Sequence, residues 1–306
     1  MARELRTAAV IGTGALGMLF GRQLSEQLGK ENVSFVLDAD RYERYRALTF
    51  TCNGERLDLS FRPAEETTPV DLVMVAVKYN SLPSALDTMR NCVGPDTVII
   101  SVMNGIDSEE IIGARYGAEK LIDTVAQGMD AMRDGSSLRY TQMGHLCVGV
   151  SEGQSGENLA AVCALFDRTG IPYHTEENIR RRMWAKWMLN VGVNQTCMAF
   201  GTTYSGALAE GTEENRVFLS AMREVIALSR AVGIDLPDSE IDYYVRLVGT
   251  LDPDGIPSMA QDRKAGRKTE VEMFAGTVRR LSAEYGLPTP TNDLLYRMVK
   301  EIEANM

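Results

Sequence analysis

The rhythm of apolar and polar positions changes near residue 178. Before it, short apolar runs alternate with segments of helical spacing. After it, only helical spacing remains. Residues 8–11 are an uninterrupted apolar run and read as a buried strand. Leu16, Leu19, Phe20, Leu24 and Leu28 then recur at helical spacing. Further strands are predicted at 33–37, 71–77, 97–102, 121–126 and 171–174, and a hairpin over 140–150 with Gly144 near its middle. Helices are predicted at 82–89, 109–116 and 159–168. Such βαβ alternation implies a mainly parallel sheet covered on both faces.

Beyond 178, amphipathic helices are predicted at 179–193, 213–232, 238–251, 259–285 and 292–303. Gly233, Gly255, Gly286, Pro237, Pro257, Pro288 and Pro290 punctuate them as stops and turns. The expected organisation is a dinucleotide-binding α/β domain over 1–177 and an all-α domain over 178–306. Neither an internal repeat nor a low-complexity segment interrupts it.

Composition narrows the function classes. The 306 residues are 44% hydrophobic and 24% charged, as in an ordinary globular protein. No apolar stretch approaches the roughly 20 residues of a membrane span, so no membrane association is expected. The first strand begins close to Met1, which leaves no room for a secretory leader and predicts a cytoplasmic protein. Five scattered cysteines without a C-x-x-C are expected to be reduced. The net charge of −10 argues against nucleic acid as a partner. An anionic substrate would therefore need a local cluster of positive charge. With only His145 and His174, a histidine-rich metal site is not available, and no metal is expected.

Three stretches carry chemistry. The first is Gly12-Thr13-Gly14-Ala15-Leu16-Gly17, set between a strand and a helix, the context that gives G-x-G-x-x-G its meaning. Gly12 would make the tight turn, Gly14 would let backbone approach a pyrophosphate, and Gly17 would let helix pack on strand. The phosphates would lie on the helix N-terminus, with Ala15 and Leu16 in its first turn.

In the second, Lys186, Asn190 and Asn194 stand at i, i+4 and i+8 among apolar neighbours. They form one polar stripe along a helix. Buried, such a stripe needs partners or a ligand; exposed, it is a lysine reaching water beside two surface amides. Arg180, Arg181 and Arg182 add positive charge nearby or form a solvated helix face.

The third runs from Ser258 to Glu272. Glu270 is placed mid-helix, with Val271, Phe274, Val278 and Leu281 on the core face. On spacing alone it reads rather as a solvated carboxylate paired with Arg267.

Together these residues resemble the ketopantoate reductase (2-dehydropantoate 2-reductase) family. The resemblance rests on the glycine motif, Val77-Lys78, Asn104-Gly105, the Lys186/Asn190/Asn194 stripe, and Pro257-Ser258-Met259-Ala260-Gln261-Asp262 followed by Gly266-Arg267-Lys268-Thr269-Glu270. It runs from residue 8 to about 300. It implies a Rossmann domain joined to a helical domain similar to that of 6-phosphogluconate dehydrogenase. It also implies reduction of 2-dehydropantoate by hydride transfer from a nicotinamide cofactor, within pantothenate and coenzyme A biosynthesis.

In that reading Lys186 is the general acid, and Glu270 accepts a hydrogen bond from the product hydroxyl. Asn190, Asn194 and Ser258 hold a small anionic 2-keto acid. Lys78 and Asn104 contact the nicotinamide ribose. The family commonly places an arginine at the end of the second strand for the 2′-phosphate of NADPH, whereas this chain has Asp38, with Arg41 and Arg44 close behind. Family habit implies NADP(H); an acidic residue there suits the ribose hydroxyls of NAD(H). The resemblance leaves room for a homodimer.

Two other readings compete. One is a related dehydrogenase acting on another small 2-keto or hydroxy acid. The other is a non-catalytic dinucleotide sensor, disfavoured because the polar stripe, Ser258 and Glu270 are all present together. If Ser258 and Glu270 share a site, one straight helix cannot join them. Twelve residues would separate them by ~18 Å and about 120° around the axis. The helix is therefore expected to start at or after Met259, with Ser258 on the preceding loop.

Overall fold

The computed structural model describes residues 3–306. The chain forms two compact units, one ending at Arg182 and the other spanning Met183–Met306. Among the described residues, no helix is long and apolar enough to cross a membrane.

The first unit contains, in chain order, β1 (Ala8–Ile11), α1 (Ala15–Leu28), β2 (Val33–Leu37), α2 (Ala39–Tyr45), β3 (Phe50–Cys52), β4 (Glu55–Leu57), β5 (Phe61–Pro63) and β6 (Leu72–Val75). There follow α3 (Leu82–Thr88), β7 (Val98–Ser101), α4 (Ser108–Tyr116), β8 (Leu121–Gln127), β9 (Met132–Asp134), β10 (Ser137–Arg139), β11 (His145–Gly149), α5 (Gly156–Thr169) and β12 (Tyr173–Thr175).

Eight strands form one sheet in the order β12-β11-β8-β7-β6-β1-β2-β5. All pairs from β5 to β8 are parallel; β11 runs antiparallel to β8 and parallel to β12. The central strands β1, β6 and β7 are buried throughout because both faces are covered, and successive side chains go to opposite cores. On β6, Leu72 and Met74 enter the core that also holds Leu19 and Phe20 of α1 and Phe166 of α5. Val73 and Val75 enter the other core, with Leu82 and Leu86 of α3 and Ile112 of α4.

The expected hairpin over 140–150 is corrected. Only His145–Gly149 is a strand, and it pairs with β8, for example Leu146 with Ala126 and Val148 with Thr124. Gly144 (φ +65°) turns the chain into β11 rather than joining two strands. The true hairpins lie in a smaller sheet, β4-β3-β10-β9. Asn53 (φ +49°) and Gly54 (φ +88°) make the β3–β4 turn. Asn-Gly with both residues at positive φ is the favoured two-residue hairpin connection.

The second unit is helical. Its elements are α6 (Ile179–Phe200), which starts before the boundary, α7 (Tyr204–Leu208), α8 (Glu213–Ala231), α9 (Ser239–Val248), α10 (Ser258–Lys264), a π-turn (Glu272–Gly276), α11 (Thr277–Tyr285) and α12 (Pro290–Ala304). The single helix predicted over 259–285 is thus three pieces. It ends after Lys264, where Gly266 takes φ +61°. Residues 267–270 are coil before the π-turn.

Candidate functional site

The glycine loop follows β1, which lies between β2 and β6, where strand order reverses direction. In open α/β sheets this edge, beyond the carboxyl ends of the strands, is where ligands bind. Gly12 has φ +106°, and a Cβ there would lie 2.6 Å from the Ala76 carbonyl oxygen. A Cβ at Gly17 would lie 2.0 Å from the Gly12 carbonyl oxygen. These two glycines are required by the protein's own packing.

Gly14 differs. A Cβ there meets only the Ala76 oxygen, at an ordinary 3.5 Å. Its missing side chain therefore leaves open space beside the start of α1. Gly14 caps α1 without a side-chain hydrogen bond, and the first turn contains no acidic residue. Among the described residues no side chain accepts from the leading N–H groups, and no acid in the first turn offsets the positive end of the helix. This fits an anionic group such as a dinucleotide pyrophosphate, which Gly12, Gly14, Ala15, Leu16 and Gly17 could cradle.

Parallel strands bring other expected residues to the same edge. Asp38 follows β2, Lys78 lies three residues beyond β6, and Asn104 lies three beyond β7. Lys78 is exposed and Asn104 half-buried. Asp38 is the N-cap of α2: its Oδ1 accepts from the Arg41 backbone N–H at 2.8 Å. Its Oδ2 also lies 3.4 Å from Arg41 Nε. Gly12, Leu37, Asp38, Arg41, Val77 and Ser81 line a recess here, which would take the adenosine end of a dinucleotide.

In the second unit the stripe is real, because α6 is unbroken from Ile179 to Phe200. Lys186 is half-buried between buried Ala185 and Trp187. Asn190 and Asn194 are only 9% and 5% exposed. Ser258 Oγ donates to Asn194 Oδ1 at 3.1 Å, and Asn194 Nδ2 donates to Asn190 Oδ1 at 3.2 Å. One Nδ2 hydrogen of Asn194 and both of Asn190 are unspent within this series. Donors so placed are available to an acceptor.

Ser258 is the first residue of α10, behind Pro257, rather than a residue of the preceding loop. Glu270 is not mid-helix. It is buried coil just before the π-turn, and its carbonyl accepts from Met273 N at 3.0 Å. Arg267 turns instead to Asp262, with Nε–Oδ1 at 2.9 Å.

Sequence reasoning missed the residues that hold this segment on α6. Trp187 Nε1 donates to the Met273 carbonyl at 3.1 Å. Gln195, fully buried, accepts from Ala275 N at 3.0 Å. Trp187 lies within the stripe and Gln195 just after it, and their apolar and amide character gave no sign of the partner. Thr269 is held through its N–H and hydroxyl by Glu303, at 2.7 Å each.

His145 and His174 stack edge to face in the first unit, 4.8 Å between ring centroids. Burial, with His174 and Arg182 alongside, pushes the His145 imidazole below its ordinary value. Among the described residues no cluster of His, Cys, Asp or Glu could hold a metal ion.

Comparison with known proteins gives a consistent picture. Residues 8–153 match the family described as Ketopantoate reductase PanE/ApbA, and residues 178–303 match Ketopantoate reductase PanE/ApbA C terminal. The chain is 27% identical over 298 residues to a 2-dehydropantoate 2-reductase of Caulobacter vibrioides, covering 96% of this chain and 98% of that one. A solved 2-dehydropantoate 2-reductase of Geobacter metallireducens is 26% identical with a TM-score of 0.85, covering 96% of this chain and 99% of the other. The fold is also that of a D-mandelate dehydrogenase solved with NADH, at 22% identity and a TM-score of 0.84, over 98% and 99% of the two chains.

Proposed function

Because the chain belongs to the ketopantoate reductase family, a family of oxidoreductases, we propose that it reduces 2-dehydropantoate to (R)-pantoate, a step toward pantothenate and coenzyme A. The observation that carries this reading is the hydrogen-bonded series Ser258–Asn194–Asn190 on the helix face that also bears Lys186. Its unspent amide hydrogens suit the carboxylate and hydroxyl of a small 2-keto acid. A nicotinamide bound at the first unit supplies the hydride. The Lys186 ammonium polarises the ketone and delivers the proton to its oxygen. Glu270 accepts from the new hydroxyl and balances the lysine charge. Lys78 and Asn104 orient the nicotinamide ribose.

We further propose NADH as the preferred cofactor. Asp38 both caps α2 and pairs with Arg41, so its carboxylate is fixed at the rim of the recess. Moving it aside for a 2′-phosphate would forfeit a helix cap, a cost of about 1 kcal/mol. Leaving it in place would oppose two negative charges. The test is to follow loss of reduced-nicotinamide absorbance with 2-dehydropantoate, using NADH and NADPH in turn. Turnover well above that with an unbranched or aryl 2-keto acid is expected; the reverse ranking would reassign the substrate. Asp38→Arg is expected to shift the kcat/KM ratio toward NADPH. An unchanged ratio would mean that Asp38 does not read the ribose.

A further inference from the structure

Arg133 stands on β9, 120 residues along the chain from Thr13, yet its guanidinium is folded onto the glycine loop. Nη1 donates to the Thr13 carbonyl and, at 3.1 Å, to Thr13 Oγ1. Nη2 donates to the Tyr45 hydroxyl at 3.3 Å, and Nε to the Gly135 carbonyl at 2.7 Å. The rings of Tyr45 and Phe50 lie 5.5 and 5.9 Å from it. Every one of these partners is neutral. Among the described residues no carboxylate pairs with Arg133, in contrast to Arg41, which Asp38 offsets.

The half-buried cation therefore sits beside the positive end of α1, whose first turn also contains no acid. Two positive features this close repel each other unless an anion lies between them. Burial raises the Tyr45 hydroxyl, but hydrogen bonds from Arg133 and Thr13 and the nearby arginine charges outweigh it. The net effect is downward, as expected beside an uncompensated cation.

We infer that Arg133 is a phosphate ligand of the dinucleotide cofactor, delivered to the glycine loop by the β9–β10 hairpin and held ready by Thr13 and Tyr45. The inference rests on the reading that the first unit binds a nicotinamide dinucleotide. The shared chemistry is a phosphate ester or anhydride, either the pyrophosphate or a 2′-phosphate.

The experiment is calorimetric titration of the full chain, as wild type, Arg133→Met, Arg133→Lys and Tyr45→Phe, with ADP-ribose, 2′-phospho-ADP-ribose and adenosine at low and high salt. Thermal melts check that each variant folds. Arg133→Met is expected to weaken a phosphorylated ligand by about 10- to 100-fold, the worth of a charge-assisted contact. Its salt dependence should flatten, its adenosine affinity should hold, and Arg133→Lys should recover part of the loss. Equal weakening of both phosphorylated ligands places Arg133 on the pyrophosphate; weakening of the 2′-phospho form alone places it on the 2′-phosphate. Either result upholds the inference.

Equal weakening of all three ligands, adenosine included, would make Arg133 a clamp for the hairpin and overturn it. So would unchanged binding by Arg133→Met. If Arg133→Met does not fold, Arg133→Lys and Tyr45→Phe decide by the same criteria. A wild type that binds neither phosphorylated ligand would instead remove the dinucleotide reading, and this inference with it.

Discussion

Lys186 is the only charged residue between Met183 and Phe200. In the proposed reaction this ammonium delivers the proton to the carbonyl oxygen. Lys186→Ala is expected to lower kcat by ~10² to 10⁴-fold with cofactor affinity unchanged. Lys186→Arg is the sharper probe. It keeps the positive charge but holds its proton across the working pH range. If proton donation matters, it should recover substrate affinity and leave kcat low. Normal kcat in either variant would remove Lys186 from the reaction.

At the scale of elements, the decisive feature is the π-turn that follows Glu270. Such turns interrupt helices frequently at functional sites. Here Trp187 and Gln195 tie it to α6, so Glu270 is set by the helix that bears Lys186. Gln195→Leu would leave the buried Ala275 N–H without its acceptor, an expected loss of ~1–3 kcal/mol in urea unfolding. It should also lower kcat more than it raises KM, because Glu270 is released from its position. A stability loss with unchanged kinetics would show that the π-turn does not govern Glu270.

None of this was legible in the sequence. Phe274, Val278 and Leu281 keep helical spacing with Glu270, so the periodicity runs unbroken from the coil at Glu270 through the π-turn into α11. The long elements, by contrast, were legible, because β1, β2, β6, β7 and α1 bury whole faces and show it in their pattern. Strands of three residues, such as β3, β4, β9 and β10, are too short to display a period of two. The Asn53-Gly54 hairpin signal between β3 and β4 went unread in the sequence. Arg133 was out of reach, since its polar hairpin gives no hint of a partner on the glycine loop.

At the scale of the whole molecule, one buried group ties the folding of the first unit to pH. Glu109 sits in the first turn of α4, almost fully buried, with Asp107 and Asp123 buried nearby. Burial first, and the charge of Asp123 second, push its carboxyl up to about 8, against the opposing hydrogen bond from Ser108. Asp123 accepts from Ser151 and Gln154, while Glu109 accepts from Ser108.

In the unfolded chain Glu109 ionises near its ordinary value of 4.5. Between there and about 8 the folded protein binds one proton more than the unfolded one. Raising pH across that window therefore removes stability, by up to about 1.4 kcal/mol per unit from this group, and the loss levels off above it. Glu109→Gln keeps the shape and a donor but cannot ionise. Urea unfolding at a series of pH values should give a shallower decline from acid to pH 8 for the variant than for the wild type. Parallel curves would mean that Glu109 is ionised in the folded protein, with its charge met from elsewhere in the unit.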